Sequence, residues 1–160
     1  MNKIRSYIKG VGHNLPDRVV TNDELSKLID TTDQWIVDRT GIKERRFADE
    51  GVGPSDLAIP AVEDALQDAN LSKNDIDLIL LATLSPDYYF PGSGVLLQRN
   101  LEIKEVGALD IRNQCSGFIY GLSIADQYIK SGMYKNILVV GSEIHSGGLA
   151  LSLIHISEPT

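Results

Sequence analysis

Short apolar runs alternate along this chain with longer amphipathic stretches, and that alternation restricts the fold more than any other feature. Strand-like runs cover Ile4–Val11, Ile42–Phe47, Leu78–Thr83, Gly107–Ile111 and Asn136–Val140. Helical patterns lie between them. Thr21-Asn22-Asp23-Glu24 has capping-box spacing, with Thr21 at the N-cap and Glu24 three residues on. Ser55 or Asp56 is placed to cap Leu57–Ala69, where Ile59, Val62, Leu66 and Ala69 recur at helical spacing. From Ser116 to Lys130, the residues Phe118, Leu122, Ala125 and Ile129 share a face, and Ser131-Gly132 ends the pattern. Alternation of this kind predicts an α/β fold with a largely parallel sheet covered by helices.

Composition closes off several function classes. Of 160 residues, 22 are Asp or Glu and 15 are Lys or Arg, a formal charge of −7. No basic run exceeds Lys43-Glu44-Arg45-Arg46, so neither nucleic acid nor an anionic membrane is an expected partner. No apolar stretch approaches the ~18 residues of a membrane span. The N-terminus is basic but lacks the apolar core of a secretory signal. One cysteine forms neither an internal disulfide nor a Cys-based metal site, and the cytoplasm is the expected compartment. Gly10-Val11-Gly12 has no third glycine and no helix after it, so it is rejected as a dinucleotide fingerprint.

Cys115 is the candidate nucleophile. It lies in Asp110-Ile111-Arg112-Asn113-Gln114-Cys115-Ser116-Gly117-Phe118, between an apolar strand and an amphipathic helix. A thiol at such a turn faces a helix N-terminus, whose free N–H groups and dipole favour negative charge. The alternative is a small buried hydrophobe. The histidines supply no obvious base: His13 is in a loop, His145 lies beyond a strand's C-terminal end, and His155 is in the last ten residues. Three scattered histidines without a paired carboxylate predict no metal site. Trp35 with Arg39 one helical turn away suits an adenine ring and a phosphate, the ring stacking and the guanidinium forking. The alternative is a half-buried Trp carrying Arg39 over it. The loop Ser85–Gly94 holds Tyr88-Tyr89-Phe90. Three adjacent aromatics are costly to leave in water, so they are expected to pack within the domain, on a partner subunit or along an acyl pocket.

Residues 151–160, Leu-Ser-Leu-Ile-His-Ile-Ser-Glu-Pro-Thr, match the translation of a transposase adapter used in sequencing libraries. They are read as non-native and set aside from fold and site. Residues 1–150 are then expected to be an N-terminal half-domain whose native chain continues.

Several segments together resemble the N-terminal half of β-ketoacyl-acyl-carrier-protein synthase III. They are Ile8-Lys9-Gly10-Val11-Gly12, Leu15-Pro16, the run Asp33–Ile42, Cys115-Ser116-Gly117-Phe118, the run Ala125–Gly132 and Val139–Glu143. The resemblance implies a thiolase-like αβαβα sandwich, of which this chain supplies one half, and a homodimer. It also implies an acyltransferase that condenses an acyl-CoA primer with malonyl-acyl carrier protein at the start of type II fatty-acid synthesis. Cys115 would take the acyl group; Thr31, Trp35 and Arg39 would hold CoA; Phe90 would reach across the dimer to wall the partner's acyl pocket. No metal and no cofactor are implied, acyl-CoA being a substrate. The family's catalytic His and Asn belong to the other half, so residues 1–160 alone are expected to be inactive in condensation and, with apolar surface uncovered, poorly soluble. The chain departs from the family at Arg112-Asn113-Gln114, where members carry small Ala residues, and this bears on primer choice. The basic Lys43/Arg45/Arg46 cluster is either a grip for an acidic carrier or a solvated turn. Two other readings stay open: another thiolase-fold condensing enzyme (polyketide, long-chain or hydroxymethylglutaryl-type), and a non-catalytic dimerising subunit.

Overall fold

The computed structural model describes residues 4–103, 105–113 and 115–146. They form two compact units, one of residues 4–14 and 53–143, the other of 15–52 and 144–146. The 151–160 tail, His155 included, lies outside the described residues.

The larger unit is a parallel sheet between helices. Strands β3 (Leu78–Ala82), β4 (Gly107–Ile111) and β5 (Ile137–Gly141) run in the order β4-β3-β5. All five residues of central β3 are buried, as a strand covered on both faces requires. Its side chains alternate: Ile79 and Leu81 join Ala58 and Val62 of α3 (Pro54–Ala69) and Leu97 of α4 (Ser93–Asn100). Leu78 and Leu80 face Ala125 of α5 (Gly117–Lys130), where Tyr128 and Tyr134 meet edge-to-face at 5.4 Å. The strand order explains why α4 and α5 cover opposite faces. From β3 the chain steps one way to β4, then back past β3 to β5, and two right-handed crossovers in opposite directions place their helices on opposite sides. The C-terminal ends Ala82, Ile111 and Gly141 lie in register, so the loops that follow share one rim of the sheet.

The smaller unit pairs β1 (Arg18–Thr21) antiparallel with β2 (Glu44–Phe47) around α1 (Asn22–Leu25) and α2 (Asp33–Thr40). Buried Asn22 ties it together, donating to Asp33 Oδ1 and to the Ile42 carbonyl, both at 2.7 Å, and accepting from Arg45 Nη2.

Three expectations are corrected here. Ile4–Val11 forms no strand: Ile4, Tyr7, Ile8 and Val11 are exposed and the segment has no ladder partner among the described residues. It is held instead by Ser6 Oγ on Asp126 and by Gly10 and Gly12, where a Cβ would collide with the α3 backbone at Ala65 and Ala61. Helix α3 starts at Pro54, earlier than the Ser55 or Asp56 cap implies; Asp56 accepts from Gly53 N–H at 2.9 Å while Ser55 bonds Asp87. The buried face of α5 is Gly117, Gly121 and Ala125, because a Cβ on Gly121 would sit 3.0 Å from Val139; Phe118 is 41% exposed. Within the basic cluster, Arg45 also donates to the Val20 carbonyl and Arg46 to those of Pro16 and Asp17.

Candidate active site

Cys115 is exposed, in the turn between β4 and α5. The first intrahelical bond of α5 runs from Tyr120 N–H to the Ser116 carbonyl at 3.0 Å, so the N–H groups of Gly117, Phe118 and Ile119 have no acceptor within the helix. The helix can start this close to β3 because residue 117 is glycine: a Cβ there would lie 3.2 Å from Ala82 Cβ. The thiol is thus accessible, on a rim built by packed strands.

The loop after β3 shares that rim and is strapped down by three carboxylates. Glu143, just beyond β5, accepts from Thr83 Oγ1 at 3.1 Å, Leu84 N–H at 2.9 Å, Ser85 N–H at 2.7 Å and the Ser85 hydroxyl. Partial burial pushes its carboxyl up, but these hydrogen bonds from Ser85, Leu84 and Thr83 outweigh it and leave the group below the usual carboxylate range. Asp87 accepts from Ser55 N–H and Oγ at the start of α3. Asp110, on β4, accepts from Ser93 N–H at 2.8 Å and Gly94 N–H at 2.7 Å, and so caps α4 from a different element. Above these anchors the loop tip projects: Tyr88, Tyr89 and Phe90 are 63%, 91% and 90% exposed. The expected packing within the domain is not what this chain shows. Arg112 reaches the tip, donating to the Tyr88 and Tyr89 carbonyls and to Asp110 Oδ2, each at 3.4 Å.

Thr31, Trp35 and Arg39 lie in the smaller unit. Thr32 caps α2 by accepting from Trp35 N–H at 3.1 Å, and Gly41 ends it at φ 72°. This geometry sets Trp35 and Arg39 on one side of the helix, with the guanidinium carbon 4.2 Å over the ring. Trp35 is exposed, at 40%, with the Arg39 guanidinium across its ring. Thr31 Oγ1 is buried and makes no hydrogen bond among the described residues. His13 is exposed beside Asp64, and His145 is exposed. Among the described residues no three His, Cys, Asp or Glu side chains cluster as metal ligands, and no helix is long and apolar enough to cross a membrane. A groove of about 440 Å³ lies at the far ends of α3 and α4, lined by Leu66, Leu71, Lys73 and Glu102 among others, and none of the candidates borders it.

Sequence reasoning missed Asp87 and Asp110 as site-forming residues; Arg112 entered only within the Arg112-Asn113-Gln114 departure that bears on primer choice. Asp110 carried a signal, a carboxylate inside an otherwise apolar strand.

The family profile for 3-oxoacyl-[acyl-carrier-protein] synthase III matches residues 109–152. A β-ketoacyl-[acyl-carrier-protein] synthase III of Caldanaerobacter subterraneus is 50% identical over 141 residues, 88% of this chain and 43% of the relative. The crystal structure of the 3-oxoacyl-[acyl-carrier-protein] synthase III of Aquifex aeolicus superposes with a TM-score of 0.84 at 51% identity, over 88% of this chain and 45% of that one. An OleA of Xanthomonas campestris superposes with a TM-score of 0.85 at 28% identity, over 99% and 51%. The chain spans about half the length, or less, of the proteins it matches.

Proposed function

This chain belongs to the β-ketoacyl-[acyl-carrier-protein] synthase III family, with the thiolase-like α/β fold, and from that premise we propose that it carries the acyl-accepting half of a fatty-acid-initiating condensation. The observation that carries the reading is an exposed Cys115 on the sheet rim, at the start of a 14-residue helix. Its thiolate attacks the carbonyl of an acyl-CoA thioester, the C–S bond to CoA breaks, and CoA leaves as the thiolate, which takes a proton from water. Malonyl-acyl carrier protein then loses CO2. The resulting enolate attacks acyl-Cys115, giving 3-oxoacyl-carrier protein and the free thiolate. The N–H groups at the start of α5 and that of Cys115 are suited to the tetrahedral oxyanion; one such donor is typically worth ~100-fold or more. Trp35 and Arg39 supply a ring and a cation for the CoA adenine and phosphate, with Thr31 beside them. We propose that this chemistry needs no cofactor and that it runs in the cytoplasm. The residues assisting decarboxylation are assigned outside residues 1–150, so residues 1–160 alone are not expected to complete the condensation.

The test is intact-protein mass spectrometry of a chain extended to the relatives' length, incubated with acyl-CoAs from acetyl to octanoyl. An acyl adduct mapped to Cys115 is the expected result; no adduct with any of them overturns the reading. Another thiolase-fold condensing enzyme is the second reading, favoured by the OleA likeness over 99% of the chain. Condensation with malonyl-acyl carrier protein by the loaded protein separates the two.

We also propose a homodimer. Strand β4 is an outer strand of the described sheet, and Leu109, Phe118, Ile119, Tyr120 and Phe90 are exposed apolar side chains. Light scattering of the extended chain is expected to give twice the chain mass; a monomer at micromolar concentration contradicts this.

A further inference from the structure

The aromatic loop is rigid at its base and exposed at its tip. Glu143 holds Thr83 to Ser85, Asp87 is bound to the start of α3, and Asp110 grips Ser93 and Gly94. None of these carboxylates reaches residues 88–90. Among the described residues, Arg112 is the side chain that hydrogen-bonds the tip, at the carbonyls of both Tyr88 and Tyr89.

The position of Arg112 makes that contact consequential. It lies two residues beyond Asp110, just past the end of β4. It pairs with Asp110 at 3.4 Å, and Asp110 is itself held by two backbone N–H groups, so the guanidinium has a fixed base. From there it lies 5.8 Å from the Tyr89 ring centroid while donating to two successive carbonyls. A planar guanidinium can bridge two acceptors and lie beside a ring at once; an ammonium lacks that fork and an alanine has nothing to offer. Arg112 is also three residues before Cys115 on the same turn. One side chain therefore joins the segment carrying the nucleophile to the tip carrying Phe90.

We infer that Arg112 is a positioning residue that sets the place of the Tyr88-Tyr89-Phe90 tip, and through Phe90 the acyl chain length accepted in the acyl pocket that Phe90 walls across the dimer. The inference rests on the reading of Cys115 and Phe90 given above. A tip released from Arg112 moves Phe90 and changes the room for the acyl chain, without touching the thiol or the first turn of α5. Selectivity then changes more than turnover on the preferred primer. In a snug apolar site one methylene is worth about tenfold or more in discrimination.

The experiment loads the parent, Arg112→Ala and Arg112→Lys, each in the chain extended to the relatives' length, with acetyl-, butyryl-, hexanoyl- and octanoyl-CoA. Mass spectrometry gives the rate of adduct formation at Cys115 for each primer. Hydrogen exchange of residues 84–92 and of β3 is followed in the same samples. Arg112→Ala is expected to change the long-to-short ratio about tenfold, with faster exchange in the tip and unchanged protection in β3. Arg112→Lys keeps the pairing with Asp110 and is expected to change the ratio less. Equal ratios in all three proteins overturn the inference even if the tip exchanges faster. A parent that forms no adduct fails at the preceding reading, and takes this inference with it.

Discussion

Replacing Cys115 by Ala, in the chain extended to the relatives' length, is expected to abolish the acyl adduct and to lower condensation on the order of a thousandfold or more. The size follows from the chemistry. Without the sulfur there is no covalent intermediate, so acyl transfer and carbon–carbon bond formation can no longer be separated into two steps. What survives is binding and the N–H groups at the start of α5, which stabilise charge but cannot store the acyl group. Stability should be nearly unaffected, within roughly 0.5 kcal/mol, because Cys115 is exposed and its side chain fills no core position. That contrast makes the experiment interpretable. Mass spectrometry reads the adduct, a malonyl-carrier condensation assay reads turnover, and a thermal midpoint verifies the fold. Parent-like turnover in Cys115→Ala would move the nucleophile elsewhere and leave the non-catalytic dimerising subunit as the better account.

The parallel sheet was legible because its cause is local. Leu78–Ala82 is buried on both faces, and a strand in that position must be apolar throughout. The Cys115 turn was legible for the same reason, lying between an apolar strand and an amphipathic helix. Local pattern failed where long-range partners decide the outcome. Ile4–Val11 reads as a short strand-like run but finds no ladder among the described residues, whereas the four residues Arg18–Thr21 pair with β2 despite a weak pattern. Helix α4 went unread, and its first two residues fall in the expected loop Ser85–Gly94, because the acceptor that caps it is Asp110, 17 residues beyond Ser93. On α5, hydropathy points to Phe118, but packing follows the glycines that let the helix approach β5. The straps of the aromatic loop were illegible for a related reason. Asp87 meets Ser55 across 32 residues and Glu143 meets Thr83 across 60, separations at which nothing in the sequence marks a pair.

Glu143 gives the second large effect, Glu143→Gln. Both its oxygens accept a backbone N–H, Oε2 from Leu84 at 2.9 Å and Oε1 from Ser85 at 2.7 Å. A glutamine has nearly the same shape, but either orientation of its amide sets an NH2 group against one of those donors. Thr83 is buried, so its hydroxyl cannot simply turn to water. Leaving one such donor unpaired and opposing another costs about 2 kcal/mol, which for a chain of this size lowers the thermal midpoint by roughly 4–8 °C. The pH dependence separates charge from shape. Because the folded carboxyl is held below its unfolded value, its contribution is present above the ordinary glutamate range, near 4.3, and is lost as pH falls through the folded value. Glutamine does not titrate. The difference in midpoint between parent and Glu143→Gln is therefore expected to be largest near pH 7 and to shrink below about pH 4. A difference that stays constant across that range would assign the strap to side-chain shape alone, and the carboxylate would no longer explain why a loop with so exposed a tip has so fixed a base.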